Sequence, residues 1–247
     1  NSSVEIAKKL KIYHGFVNAT LKRIFLNKNK LKKIDIYFED FPIWFQEETK
    51  GLSVSEKNKF LKNYYKEPDI HLVFKNKECL ASFEEDIFHT SKNSGFLKNK
   101  RKVSNIYSYK EGKWWVQDYC SSLPLSCVDE AVLNKSNIDL CSAPGGKSFQ
   151  VLSRSKQIIL NDKNKDRIKL LKINLKRLNF LAKIINLDAN KLSENIKYDF
   201  IILDAPCSSI GTVRRNPEIL FSQKKPDFKN LTNIQKSLLE KSSKILN

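Results

Sequence analysis

A carboxylate and a thiol stand close together in the string Asp204-Ala205-Pro206-Cys207, where the proline keeps the backbone stiff. A thiolate is a strong nucleophile, and a carboxylate accepts hydrogen bonds from a nucleobase, so the pattern indicates thiol chemistry on a base. Paired arginines follow at Arg214 and Arg215, and guanidinium groups bind phosphates. The alternative interpretation is a buried structural cysteine beside a helix-capping aspartate.

A second loop contains adjacent glycines in the string Asp139-Leu140-Cys141-Ser142-Ala143-Pro144-Gly145-Gly146-Lys147-Ser148. Glycines let a ligand approach the backbone, and the free N–H groups of a following helix suit a phosphate or an amino-acid carboxylate. A P-loop would require glycine where Cys141 stands, and the dinucleotide pattern G-x-G-x-x-G is missing too. The loop therefore predicts an anionic ligand of another kind, and a plain glycine turn is the alternative.

Two further aspartates follow short apolar runs. Asp162 lies about 16 residues beyond Gly146, where a carboxylate can accept both hydroxyls of a ribose. Asp188 follows the next run, a usual place for contacts to an adenine ring. Taken alone, Asp162 is more often a helix cap, and Asp188 is a weak signal.

These loops require a sheet that brings them together. From about Ser136, apolar runs at residues 138–140, 157–160, 183–187 and 200–203 alternate with helical stretches. One of these stretches has an apolar face formed by Ile168, Leu171, Leu175 and Leu178. The pattern predicts an α/β fold with a Rossmann-like parallel sheet, and ligands bind such sheets beyond the carboxyl ends of the strands.

The first half of the chain has a different pattern. Residues 4–26 carry an apolar stripe typical of one or two amphipathic helices, formed by Ile6, Leu10, Tyr13, Val17, Leu21 and Ile24. Residues 40–66 predict short helices that begin near Asp40 and Ser55. Strands are predicted at residues 70–74, 81–83, 106–109 and 114–116, which together indicate a small α+β unit.

The chain has 45 Lys and Arg against 27 Asp and Glu, a net charge of +18, which favours a nucleic-acid partner. Codon bias is the alternative explanation, since nearly all of the basic residues are Lys. The five cysteines contain no CxxC pair and are odd in number, so neither a disulfide framework nor a metal site is expected. No apolar run reaches the length of a membrane span. We expect a cytoplasmic, monomeric protein.

Together, the two loop strings, the continuation Arg214-Arg215-Asn216-Pro217-Glu218 and the preceding Val116-Gln117-Asp118 resemble the Sun/Fmu family of RNA 5-methylcytosine methyltransferases. Residues 16–21, Phe-Val-Asn-Ala-Thr-Leu, are similar to the closing helix of a NusB-like RNA-binding domain. The combination resembles the small-subunit ribosomal RNA methyltransferase B type. The family's Arg-Val-Asn strand is altered here, because Val73 and Lys75 replace its polar pair.

The resemblance implies three parts: residues 1–30 as the end of a NusB-like domain, residues 31–112 as a small α+β RNA-binding domain, and residues 113–247 as a truncated methyltransferase domain. It implies S-adenosylmethionine as cofactor and ribosomal RNA as partner, with RNA contacts from Arg214 and Arg215. The implied cofactor-binding residues are Cys141, Ser142, Ala143, Pro144, Gly145, Gly146, Lys147, Asp162, Asp188 and Asp204.

The resemblance also implies a mechanism in which a thiolate adds to C6 of cytosine and so makes C5 nucleophilic. Asp204 would bind the base. The attacking Cys would belong to a later Thr-Cys motif, expected beyond Asn247, and Cys207 would assist product release. On this reading the chain binds cofactor and RNA, transfers no methyl group by itself, and leaves a sheet edge exposed. The alternatives are a DNA cytosine-5 methyltransferase and a non-catalytic RNA-binding relative.

Overall fold

The computed structural model describes residues 2–64, 66–154, 156–221 and 225–247. The chain divides into two compact units. The helical unit comprises Asn1–Lys66 and Asn216–Gln223, and the α/β unit comprises Glu67–Arg215 and Lys224–Asn247. Among the described residues, no helix is both long and apolar enough to cross a membrane.

The helical unit begins with two helices where the apolar stripe predicts them. Its helices are α1 (Ser2–Lys9), α2 (His14–Leu26), α3 (Lys28–Leu31), α4 (Ile43–Glu48) and α5 (Val54–Tyr64). The last of these begins at Val54, one residue before the predicted start near Ser55, and its capping residue is Ser53 rather than Ser55. Ser53 caps α5, because its N–H donates to the Glu56 carboxylate at 2.8 Å and its hydroxyl accepts the Glu56 N–H at 3.3 Å.

Aromatic rings form the core of the helical unit. Phe41 packs edge-on against Phe60 and Tyr64, with ring centroids 5.6 and 5.2 Å apart, and it stacks on Phe221 at 6.0 Å. Offset and edge-on ring contacts of this kind stabilise a core beyond the area that they bury. Residues 216–221 therefore pack with the helical unit, although they are far from its helices in sequence.

The α/β unit opens with an antiparallel sheet in the order β2-β3-β1-β4. Its elements are β1 (His71–Phe74), α6 (Lys77–Ala81), β2 (Ile87–Ser91), β3 (Ser94–Leu97) and β4 (Trp114–Val116). The predicted strands at residues 70–74 and 114–116 are confirmed. The predicted strands at 81–83 and 106–109 are wrong, because Asn76 caps a helix by accepting the Cys79 N–H and because Ile106 follows a 3-10 turn and packs into the core.

The predicted parallel sheet is confirmed, in the order β7-β6-β5-β8. Its strands are β5 (Asn137–Asp139), β6 (Ile159–Asn161), β7 (Ile184–Ile185) and β8 (Phe200–Ile202). The helices of this region are α7 (Tyr119–Ser126), α8 (Glu130–Leu133), α9 (Gly146–Leu152), α10 (Lys165–Arg177) and α11 (Phe228–Ile245). Two residues before β8, Tyr198 forms an isolated parallel bridge with Leu246. The predicted exposed edge of the sheet therefore has one paired residue next to β8.

Apolar side chains cover both faces of the parallel sheet, as its sequence predicts. On one face, Leu171 and Leu175 of α10 pack with Phe149 of α9. On the other, Leu238 and Ile245 of α11 pack under the strands. The predicted apolar face of α10 is thus buried, and it fixes the loops at the carboxyl ends of β5 and β6.

Replacing Leu171 with Ala should lower the free energy of unfolding by about 3 kcal/mol, because the truncated side chain leaves a cavity in the core. Leu171 is 0% exposed, whereas its neighbour Leu170 is 55% exposed. Leu170→Ala should therefore change the stability by no more than about 0.5 kcal/mol. Urea unfolding followed by circular dichroism measures both, and equal losses would contradict this placement of the helix face.

Candidate functional site

Two cavities open among the loops at the carboxyl ends of the parallel strands, with volumes of about 380 and about 250 Å³. Cys141 and Arg167 line both, so the cavities meet at these side chains. The larger cavity is also lined by Gln117, Ser121, Asp139, Ser142, Ala143, Pro144, Gly146, Lys147 and Asp204. The smaller is also lined by Leu140, Asp162, Asn164, Asp188, Asn190, Pro206, Ile234 and Leu238.

The sequence-predicted residues are thus divided between the cavities. Asp162 and Asp188 belong to the smaller cavity, and most of the glycine loop (residues 140–146) belongs to the larger. Gly145 borders neither, and its part is to shape the loop. Cys207, Arg214 and Arg215 are exposed on the Pro-Cys loop (residues 203–215) and line neither of these two cavities.

Gly145 has a backbone conformation that few side chains tolerate, with φ of 120°. A Cβ atom there would lie 2.0 Å from the ring of Phe149. Phe149 is a buried core residue, so its ring cannot move aside. The glycine allows the loop to lie directly on α9, and the peptide bond between Ala143 and Pro144 is cis.

Asp139, at the end of β5, is fully buried beneath the glycine loop. The Ser148 hydroxyl donates to one carboxylate oxygen at 2.6 Å, and the Cys141 N–H donates to the other at 3.2 Å. Burial raises the pKa of Asp139 to about 7 despite these donors. The neighbouring Cys141 thiol has its pKa raised to about 11, first by burial and then by the Asp139 charge.

Asp162 and Arg167 hold the glycine loop from the side of β6. The Ala143 N–H donates to Asp162 at 3.2 Å, and the Arg167 guanidinium lies 3.6 Å from the same carboxylate. Arg167 also donates to the Ala143 carbonyl. The Asn164 N–H completes the set by donating to Asp162 at 2.8 Å.

The Pro-Cys loop begins at an ion pair across the larger cavity. Lys147 of α9 lies 2.6 Å from the Asp204 carboxylate, whose side chain is 58% exposed. Cys207 lies three residues after Asp204, and its sulfur accepts a hydrogen bond from the Ser209 N–H at 3.4 Å. Ser209 has a φ of 60°, so this turn requires a left-handed residue. The loop ends at Arg215, whose guanidinium donates to Asp118 at 3.1 Å.

The family model for 16S rRNA methyltransferase RsmB/F matches residues 129–247, which include β5 to β8 and both predicted loops. Residues 129–247 are therefore similar to the RsmB/F methyltransferase family. This RsmB/F segment contains every predicted cofactor-binding residue, whereas the antiparallel sheet and helices α1 to α5 lie outside it.

Curated relatives extend the likeness along the chain. Ribosomal RNA small subunit methyltransferase B of Photorhabdus laumondii is 34% identical over 56% of this chain and 33% of its own length. The Pasteurella multocida protein of the same name is 28% identical over 95% of this chain and 57% of its own length. The chain therefore spans between about a third and just over half of these relatives.

Solved structures share the fold. PH0851 superposes with a TM-score of 0.70 at 25% identity, over 84% of this chain and 51% of that one. NSun6 from Pyrococcus horikoshii, solved with SFG, superposes with a TM-score of 0.67 at 19% identity, over 85% of this chain and 82% of that one. The predicted Rossmann-like methyltransferase fold is confirmed. The NusB-like assignment of residues 1–30 stays a prediction.

Two residues of the RsmB/F segment were missed as functional candidates from sequence. Arg167 lies five residues after Asp162 in the first turn of α10, and that spacing was the available signal. Asp139 stands directly before the glycine loop, but its full burial depends on how α9 packs over β5. Both residues hold the glycine loop in place through hydrogen bonds to its backbone.

Asp139 should make stability depend on pH in a definite direction. Its folded-state pKa of about 7 lies above the ordinary 3.8. The stability that the neutral carboxyl contributes is therefore fully present below about pH 4 and is lost as pH rises to about 7. Relative to Asp139→Asn, the free energy of unfolding of the wild-type chain should fall by about 4 kcal/mol at most over that range. Chemical denaturation at several pH values measures the difference.

Asp199 supplies a control of opposite sign. Its pKa is lowered, first by the hydrogen bond from Asn247 and then by the Ser136 N–H. Relative to Asp199→Asn, the wild-type chain should therefore lose stability as pH falls through the acidic range. If the free energies of unfolding of wild type and Asp139→Asn changed equally with pH, the burial of an ionisable Asp139 would be contradicted.

Proposed function

We propose that this chain is part of an S-adenosylmethionine-dependent methyltransferase that modifies C5 of a cytosine in small-subunit ribosomal RNA. One observation carries the proposal: Asp204 of the Pro-Cys loop lines the same cavity as the glycine loop. A methyl donor held by one loop and a base held by the other would therefore meet. The names of the RsmB/F relatives support ribosomal RNA as the substrate class.

The side chains of the two cavities fit the cofactor. In the smaller cavity, the Asp162 carboxylate suits ribose hydroxyls, and Asp188 with the adjoining Ile234 and Leu238 suits a purine ring. Cations in the larger cavity, from Lys147 and Arg167, suit an amino-acid carboxylate. The cofactor, when bound, supplies a methyl group on a positively charged sulfur.

The chemistry requires a thiol because C5 of cytosine is a weak nucleophile. Addition of a thiolate to C6 forms a carbon–sulfur bond and moves the π electrons of the ring toward C5. After C5 is methylated, loss of its proton restores the double bond and expels the thiolate. Asp204 would hydrogen-bond the base and stabilise the adduct. By the family resemblance, Cys207 assists this release while another Cys makes the first attack.

The RNA partner is supported by charge as well as by the relatives. The chain's net charge of +18 favours a polyanion, since basic side chains release counterions from phosphates. Arg214 and Arg215 are exposed on the Pro-Cys loop, where they could bind phosphates beside the target base. The helical unit and the antiparallel sheet are proposed to bind further RNA.

Asp162→Asn should weaken the binding of S-adenosylmethionine to this chain by about 1.5 to 3 kcal/mol, because a charged hydrogen-bond acceptor is lost. Isothermal titration calorimetry measures the affinity. Asp166→Asn is the matched control, since that carboxylate is 86% exposed and pairs with Lys169. An unchanged affinity for Asp162→Asn would remove this residue from the cofactor site.

Cys207→Ala should block release and leave the protein covalently attached to RNA, visible as a band that resists a denaturing gel. The assay uses the protein encoded by the whole gene, with radiolabelled S-adenosylmethionine and small-subunit ribosomal RNA. Cys127→Ala is the control, because this thiol is also exposed and lies at the end of α7.

The outcomes of this assay separate the roles. If Cys207→Ala abolishes both methylation and the adduct, Cys207 itself attacks C6 and its assignment to release is wrong. If wild-type protein methylates RNA at a position other than C5 of cytosine, the proposed reaction is wrong.

A further inference from the structure

Arg215 and Asp118 form an ion pair that joins two distant parts of the α/β unit. The guanidinium donates to one Asp118 oxygen at 3.1 Å, across 97 positions of sequence. The other Asp118 oxygen accepts the Ser121 N–H at 3.2 Å and caps α7. Asp118 is thus fixed on the rim of the larger cavity, between Gln117 and Ser121 of its wall.

The support under Asp118 is rigid. Gln117 is 7% exposed, and it donates to Gln150 at 2.8 Å while accepting the Trp115 indole N–H at 2.8 Å. A buried side chain with its hydrogen bonds satisfied holds the backbone in place. A partner bound to Asp118 is therefore positioned relative to the sheet and not to a mobile loop.

The Pro-Cys loop is held at both ends by ion pairs, one to the wall of the larger cavity and one to Asp118 beside that wall. Lys147 binds Asp204 at its beginning, and Asp118 binds Arg215 at its end. Cys207 lies between these two points. The position of its thiol therefore depends on both pairs.

The two pairs differ in how readily a substrate could replace them. In the Asp118–Arg215 pair, both side chains are more than 40% exposed, at 44% and 42%. Exposed pairs contribute little to stability, because water and salt screen them. A phosphate is a good replacement for the carboxylate, since a guanidinium binds either group through parallel hydrogen bonds.

We propose that Asp118 is a positioning residue that occupies Arg215 in the RNA-free protein, and that a backbone phosphate of the substrate replaces Asp118 on Arg215. The exchange couples RNA binding to the Pro-Cys loop that carries Cys207. This inference rests on the proposed RNA substrate for its second step. Its first step, the restraint on the loop, concerns the chain alone.

The first test needs no RNA. Asp118→Asn keeps a side-chain oxygen that caps α7 but removes the charge that holds Arg215. Hydrogen exchange followed by mass spectrometry should show faster exchange in residues 205–215 of this variant than in wild type. Asp129→Asn is the matched control, because Asp129 caps α8 in the same way by accepting the Ala131 N–H at 2.7 Å. Unchanged exchange in Asp118→Asn would overturn the proposal.

The second test measures affinity for a small-subunit ribosomal RNA fragment at low salt. Asp118→Asn should bind about two- to fivefold more tightly than wild type, since Arg215 no longer has a competing carboxylate. The gain should disappear in the Arg215→Gln background. An equal gain in Asp129→Asn, or a gain that persists without Arg215, would show a general charge effect and overturn the exchange.

The two tests separate this inference from the proposed function. If residues 205–215 exchange faster in Asp118→Asn but no variant binds RNA, the restraint stands while the RNA substrate and the phosphate exchange fail. If wild type binds RNA and Asp118→Asn binds it more weakly, the RNA substrate stands and the phosphate exchange fails.

Discussion

Ala143 is held through both of its backbone polar groups, and the site depends on this contact. Its N–H donates to Asp162 and its carbonyl accepts from Arg167, so the loop after β5 is tied to the loop after β6. Charged partners make such hydrogen bonds stronger than neutral ones. Because Arg167 and Cys141 line both cavities, fixing Ala143 also fixes the wall that the cavities share.

The carboxylates beside the larger cavity differ in burial and in their charged neighbours. Asp139 is ionised only with difficulty, because burial outweighs the hydrogen bonds from Ser148 and Cys141. Asp204, by contrast, stays largely exposed beside Lys147. Two carboxylates near one cavity thus have different environments, a common arrangement where a protein must bind a charged ligand and handle protons.

The likeness in fold reaches further along the chain than the match to the RsmB/F family model does. The RsmB/F model matches less than half of the chain, whereas the superposition on PH0851 covers 84% of it. That superposition must include part of the chain before residue 129, where the antiparallel sheet lies. Strand β4 of this sheet leads directly to Gln117 and Asp118 at the cavity rim, which gives the sheet a structural link to the site.

Local signals in the sequence were enough to predict the parallel sheet, the buried face of α10, the glycine loop and the carboxylates after the strands, because periodicity and turn chemistry act over a few residues. The β2–β3 hairpin was missed, since its exposed Phe88 and His89 break the strand pattern. The burial of Asp139, the clamp of Arg167 on Ala143 and the pairing of Arg215 with Asp118 were decided only by tertiary structure. Each of these depends on which elements pack together, and contacts between residues far apart in the chain have no local signature.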